Sequence, residues 1–324
     1  MVFDHGLPCA RAFARRFHRT SYACALAAVL LAAALALLIP ARPAVAQTVA
    51  IADSNPQSQQ NALDALPLDK MTPEAQAKLW PVISNPSIYR RLPTEVITCD
   101  RDMYLTLIRN PEIIVSIWHL MDVTDLQLTR TAPFNFRCDD NAGTTSQVEL
   151  MYGTADTHVF YADTVYQGAL FARPVKGRVV LLLRSTYHVD EQGRPQVRNV
   201  MDAFIRIDHV TAKLVARTLS PLVVRTADHN FVESFRFVGR VHESSEENCP
   251  VMRELALRLK GVDAATQRRF ADVATLVSQR AVARQQTSIS AVSSAESAES
   301  RGEGSAGPLS SANTLPPRPI QLRR

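Results

Sequence analysis

Glycine is sparse, 11 residues in 324, and no glycine-rich phosphate loop occurs. The chain also lacks a G-x-S-x-G nucleophile elbow, an H-E-x-x-H zinc helix and a C-x-x-C pair. Nucleotide binding, esterase chemistry, zinc proteolysis and thiol redox exchange therefore have no sequence signature here. Nor does one sign of charge dominate. The whole-chain excess is +5, but residues 1–46 hold five Arg against one Asp; removing that +4 leaves about +1 for the remainder. With no basic stripe, nucleic acid is not an expected partner. Of five cysteines, only Cys99, Cys138 and Cys249 lie beyond residue 46, scattered without metal-ligand spacing, so isolated buried thiols are expected, with one disulfide at most.

One long apolar run is present, at the amino terminus. Arg11, Arg15, Arg16 and Arg19 precede Ala23 to Ile39, and Pro40, Pro43 and Ala44-Val45-Ala46 follow. This basic start, apolar middle and A-x-A end form a signal peptide pattern, short for a bilayer span, so cleavage after Ala46 and a periplasmic or extracellular location are expected. Residues 47–70, rich in Asn, Gln and Ser, read as a disordered leader, and residues 283–324, rich in Ser, Ala and then Pro, as a disordered tail. Between them the pattern divides into an N-terminal helical extension (71–93), a central domain (94–246) and a helical appendage (247–282).

In the extension, Thr72-Pro73-Glu74 is a helix start and Pro81 is expected to stop it. The central domain opens with a β-branched run at Thr94 to Cys99. A helix follows from Arg101 to Ile108, and Asn110-Pro111-Glu112 restarts a second one with Ile113, Ile114, Ile117, Trp118 and Met121 on one face. Six strand candidates come next: 123–130, 134–139, 145–152, 158–167, 177–189 and 196–208, joined by short turns that imply an antiparallel meander. Alternation sets Val179, Leu181, Leu183 and Tyr187 opposite Arg178, Arg184 and His188, so one side of the sheet is expected to meet water. An amphipathic helix over 211–240 supplies the cover, with Val215, Leu219, Leu222, Val223, Phe231, Phe235 and Val238 on its stripe, and Pro221 is expected to kink or divide it. A further helical stretch, broken at Gly261, is expected to pack outside the core or on a partner.

The fold class is therefore α+β: a curved antiparallel sheet of about seven strands gripping a long C-terminal helix, with two short helices after the first strand. This order of elements resembles the START-like (SRPBCC, helix-grip) superfamily, and the chain is similar to exported bacterial proteins of unassigned function. The resemblance implies a cavity between sheet and long helix, holding a hydrophobic small molecule or lipid oriented by a few polar groups.

Thr226, Asn230 and Ser234, spaced four apart on the long helix, form a polar file that would meet such a ligand. Phe231, Trp118, Tyr152, Tyr187, Leu183 and Met201 complete the expected lining. The alternative is structural: Thr226 and Ser234 bonding back to carbonyls one turn earlier, Asn230 meeting loop backbone, and the large apolar residues forming plain core. His229 and Glu233 could share a metal, but spacing offers no third ligand, and with Arg225 they read as a solvated ladder; no metal or cofactor is expected. Asp163, Tyr161, Tyr152 and Tyr187 are the acid/base candidates should the fold host a cyclase- or dehydratase-like enzyme, as the resemblance permits. A ligand-free envelope interaction protein with a filled interior is the remaining alternative, and peripheral contact with the cell envelope would suit it.

Overall fold

A computed structural model describes residues 53–168, 174–208 and 212–302, with the side chains of 212–227, 288–289 and 291–302 excepted. The signal pattern and its Arg residues lie outside these. The chain divides after Gln279 into two units, Met1–Gln279 and Arg280–Arg324. In the first, the elements run α1 (Pro56–Asp64), a short 3-10 turn (Leu68–Lys70), α2 (Pro73–Ile83), β1 (Ile88–Arg91), β2 (Glu95–Thr98), α3 (Arg101–Arg109), α4 (Pro111–Leu120), β3 (Gln127–Ala132), β4 (Asn135–Asp139), β5 (Thr144–Gly153), β6 (Thr157–Tyr166), β7 (Val175–Val189), β8 (Pro195–Ile207), α5 (Ala212–Glu247) and α6 (Cys249–Arg258). The last helix, α7 (Ala264–Gly302), continues into the second unit.

The eight strands form one curved antiparallel sheet in the order β1-β8-β7-β6-β5-β4-β3, with β2 pairing β8 beyond β1. Short turns make this meander possible. At the β4–β5 turn, Asp140 Oδ1 accepts from the backbone N–H of Ala142 and Thr144, and Gly143 adopts φ 108° with the Gln167 carbonyl 2.8 Å from where a Cβ would sit. Glycine is required there. The expected strands are all present. Sequence patterning passed over β1, whose four residues are too few to show a period.

Pairing assigns the side chains to two faces. Phe160, Ala162, Val179, Leu181, Leu183, Met201, Ala203 and Ile205 lie on the inner face, in one buried cluster with α3, α4, Phe231, Phe235 and Val238 of α5, and Phe270 and Val277 of α7. The opposite face does not meet water. Val159, Tyr161, Val180, Leu182 and Phe204 pack there against Ala62, Leu66, Leu79, Val82 and Ile83 of the amino-terminal helices. The cover is pinned by Asp202, fully buried, whose carboxylate accepts from Tyr89 Oη at 2.7 Å, Arg91 Nε at 2.8 Å and Arg184 Nη2 at 2.9 Å.

Five further expectations are corrected. Residues 56–64 form α1 instead of a disordered leader, because Asn55 Oδ1 caps it at Gln57 N, 2.6 Å, and Ala62 is sealed in the second core. Helix α2 runs through Pro81 to Ile83: the lost backbone bond is offset by burial of Val82 and Ile83. Likewise α5 is undivided across Pro221. Finally, α6 and the first turns of α7 share the inner core through Met252, Ala256, Leu259, Val262 and Phe270 instead of forming an outer appendage, while the helix expected to end near residue 282 continues to Gly302. The break at Gly261 is present, with φ 73°.

Candidate functional site

Where α5 closes the inner face, packing is incomplete. A cavity of about 60 Å³ lies between α4, strands β3 to β6 and α5. Its wall includes Ile114, Val115 and Trp118 from α4, Phe136 and Val148 from the sheet, and Ser234, Phe235 and Val238 from α5. The lining is apolar but for the Ser234 hydroxyl and the Cys138 sulfur. Helix α4 is buried at every position from Pro111 to Trp118, packed on β3 and, through Trp118 and Phe237 with ring centroids 5.6 Å apart, on α5. Pro111 at its first position and Glu112 in its first turn fix where it starts. Glu112 is buried and accepts from Arg130 Nε at 2.8 Å, and the Arg130 guanidinium lies 4.5 Å from the Phe136 ring centroid. An ion pair thus backs one aromatic wall of the cavity.

The residues singled out by pattern fall into three groups. Ser234 and Trp118 line the cavity. Phe231, Leu183 and Met201 are buried in the adjoining core without lining it; Phe231 packs tilted against Phe235 with centroids 4.7 Å apart. The others are elsewhere. Asn230 is 9 % exposed and its Oδ1 has no hydrogen-bond partner among the described residues. Tyr152 belongs to the outer-face cluster, because a bulge between Leu150 and Tyr152 reverses the alternation of β5. Tyr187 is on the inner face but at the strand end, donating to the Ala155 carbonyl at 2.5 Å. The Thr226 side chain lies outside the described residues.

The acid/base candidates do not assemble. Tyr161 donates to Asp163 at 2.9 Å from the outer side of β6, the side Tyr152 also joins, whereas Tyr187 is on the inner side. His229 is exposed, and Glu233 pairs with Arg236 at 3.1 Å; no group of three metal-ligating side chains occurs among the described residues. Cys99 and Cys249 are free thiols, so none of the three cysteines beyond residue 46 is disulfide-bonded to another of them. Burial pushes the Cys99 thiol well up, which leaves it a weak nucleophile.

Pattern reading missed two buried polar groups. Tyr104 donates to Asn199 Oδ1 at 2.6 Å and shares a 2.6 Å bond with Ser185 Oγ, all three essentially sealed from solvent. This triangle ties α3 to β7 and β8, and burial raises the Tyr104 pKa strongly. His158 is fully buried beneath Arg109, whose Nε donates to His158 Nε2 at 3.2 Å; burial first, and then the Arg109 charge, lower its pKa to about 4. A neutral imidazole with its proton on Nδ1 is what this geometry demands. Their signal was a polar residue at an inward position of an apolar strand, which spacing alone does not separate from an edge.

No family model matches the chain, and no curated protein does. Among solved structures, an uncharacterised protein from Rhizobium leguminosarum is similar over 44 % of this chain and 95 % of its own, at 8 % identity and a TM-score of 0.26, too low to support any inference. No described helix is long and apolar enough to cross a membrane.

Proposed function

We propose that the chain is an exported protein that binds a small apolar molecule, or the apolar end of a lipid, in the cavity beneath α5. The observation that supports this most is an apolar hole carrying one hydroxyl, Ser234, at the junction where the sheet is gripped by its long helix. The START-like resemblance expects a ligand at that junction. An empty apolar cavity destabilises by roughly 24 cal/mol per Å³, so 60 Å³ costs about 1.4 kcal/mol, which an occupant would recover. The volume selects that occupant: a compact hydrophobe or the last few carbons of an acyl chain fits, and an entire diacyl lipid does not.

Trp118 lines the cavity and Trp80, the other tryptophan, is 60 % exposed. In a Trp80→Phe protein, emission reports the cavity alone. Bromobenzene should quench it saturably and raise the melting midpoint together; quenching that rises linearly with concentration, with no midpoint shift, would count against the proposal. Export is tested separately by mass spectrometry of the chain from its native host, where an amino terminus at Gln47 is expected and an intact Met1 would contradict it.

A further inference from the structure

A second, larger depression shares no lining residue with the ligand cavity. An open cleft of about 1100 Å³ lies between α3, the β3–β4 turn with the end of β5, and the first turns of α7 up to Leu276. We propose that it docks an acidic peptide segment of a partner protein, one that interleaves carboxylates with leucine or phenylalanine side chains.

Charge supports this first. Four arginines line the cleft, Arg109, Arg130, Arg268 and Arg269, against two aspartates, Asp102 and Asp272, with the Arg130 charge already matched by buried Glu112. In a chain whose charge beyond residue 46 is near balance, that leaves Arg109, Arg268 and Arg269 as the cations open to an incoming anion. Arg268 and Arg269 are exposed and form no ion pair among the described residues. Arg109 and Arg130 are held in place: Arg109 Nη2 donates to the Thr154 carbonyl at 2.8 Å, and Arg130 Nη2 to the Arg109 carbonyl and Asn110 Oδ1, both at 2.9 Å. Guanidinium groups fixed before an anion arrives lose little entropy on binding it.

Shape supplies the second argument. Phe134 is 60 % exposed at the β3–β4 turn, a place where polar residues are usual, and it lines the cleft with Leu150 and Met151 of β5 and Val273 of α7. Cations and apolar side chains therefore occur on more than one wall. An amphiphile would call for one cationic end and one apolar end; here the two kinds of surface are interleaved, as they are along a peptide.

The test is fluorescence anisotropy of a short labelled peptide alternating Glu with Leu and Phe, titrated with the full chain. Saturable binding that weakens with added salt is expected. Arg268→Glu combined with Arg269→Glu should weaken it by about tenfold or more, and Phe134→Ala, with charge untouched, by a few-fold. All three positions are exposed, and unchanged melting curves would confirm intact folding. The proposal is overturned by absence of saturation, by equal affinity for the peptide with Lys in place of Glu, by unchanged affinity in the arginine variants, or by phosphatidylglycerol vesicles that bind as well and displace the peptide.

Discussion

Val148→Ile should stabilise this protein, an unusual expectation for a larger side chain in a buried position. Val148 is 6 % exposed and on the cavity wall beside Phe136, its neighbour on β4, and Ala162, its neighbour on β6. The added methylene has space to enter, and burying one is worth about 0.8 kcal/mol. The ceiling is the full cost of the 60 Å³ void, about 1.4 kcal/mol. For a domain of this size, about 1 kcal/mol moves the melting midpoint by roughly 2–4 °C, so a rise of about 2–3 °C is expected in calorimetry. Ile114→Ala works in the opposite direction, enlarging the same cavity at a cost of about 2–5 kcal/mol. The pair also separates cavity from core in binding: Val148→Ile should weaken the bromobenzene-induced midpoint shift, and Ile114→Ala should admit a bulkier bromonaphthalene. If Val148→Ile lowers the midpoint by the equivalent of about 1–3 kcal/mol, the usual result of overpacking, the site is already full and the reasoning fails.

Acid stability should carry the signature of His158. Its folded pKa near 4 lies below the ordinary 6.5, so the unfolded chain takes up a proton first. That contribution is whole above about pH 6.5 and is lost as pH falls toward 4, by up to about 3 kcal/mol, and the fall of stability with pH across this window, measured by urea denaturation at each pH, should flatten in His158→Gln. Asp202→Ala, which strands Arg91 and Arg184 beneath the amino-terminal helices, should cost about 3–5 kcal/mol by urea titration; a loss under about 1 kcal/mol would mean that the clamp does not hold them. Phe231→Ala should cost about 3–5 kcal/mol, whereas Glu243→Ala, on the exposed side of α5, should cost under about 1 kcal/mol; equal losses would show the faces of α5 to be misassigned. Iodoacetamide should label half-buried Cys249 before Cys99, read by peptide mass mapping, and the reverse order would contradict the burial of Cys99.

Strand order, the α3–α4 pair and the covering helix were legible because each rests on a local signal: turn residues at fixed intervals, the Asn110-Pro111 restart, apolar residues three and four apart. What escaped depends on long-range packing. The run Val179 to Leu183 is apolar at five successive positions, a mark of burial on both faces, yet its alternation with the arginines of the same strand suggested one wet side. The amino-terminal cover was obscured by the glutamines of α1 and by Ser58, a polar residue that is buried, although Asn55-Pro56 is a capping signal. Of the residues that spacing singled out, Ser234 and Trp118 line the cavity, whereas Asn230, on the same file as Ser234, does not. Tyr152 was misplaced by the bulge after Leu150, where one extra residue reverses which side chains face inward, and nothing in the local composition announces it.

The proposed function requires the space beneath α5 to be dry, apolar and open to a guest. Crystals of the protein pressurised with xenon test it most directly, since xenon enters empty apolar cavities and shows strongly in electron density. A single xenon site bounded by Trp118, Phe136, Val148 and Ser234, weaker in Val148→Ile, is the predicted result. Side chains filling that volume, or ordered water bonded within it, would contradict the account.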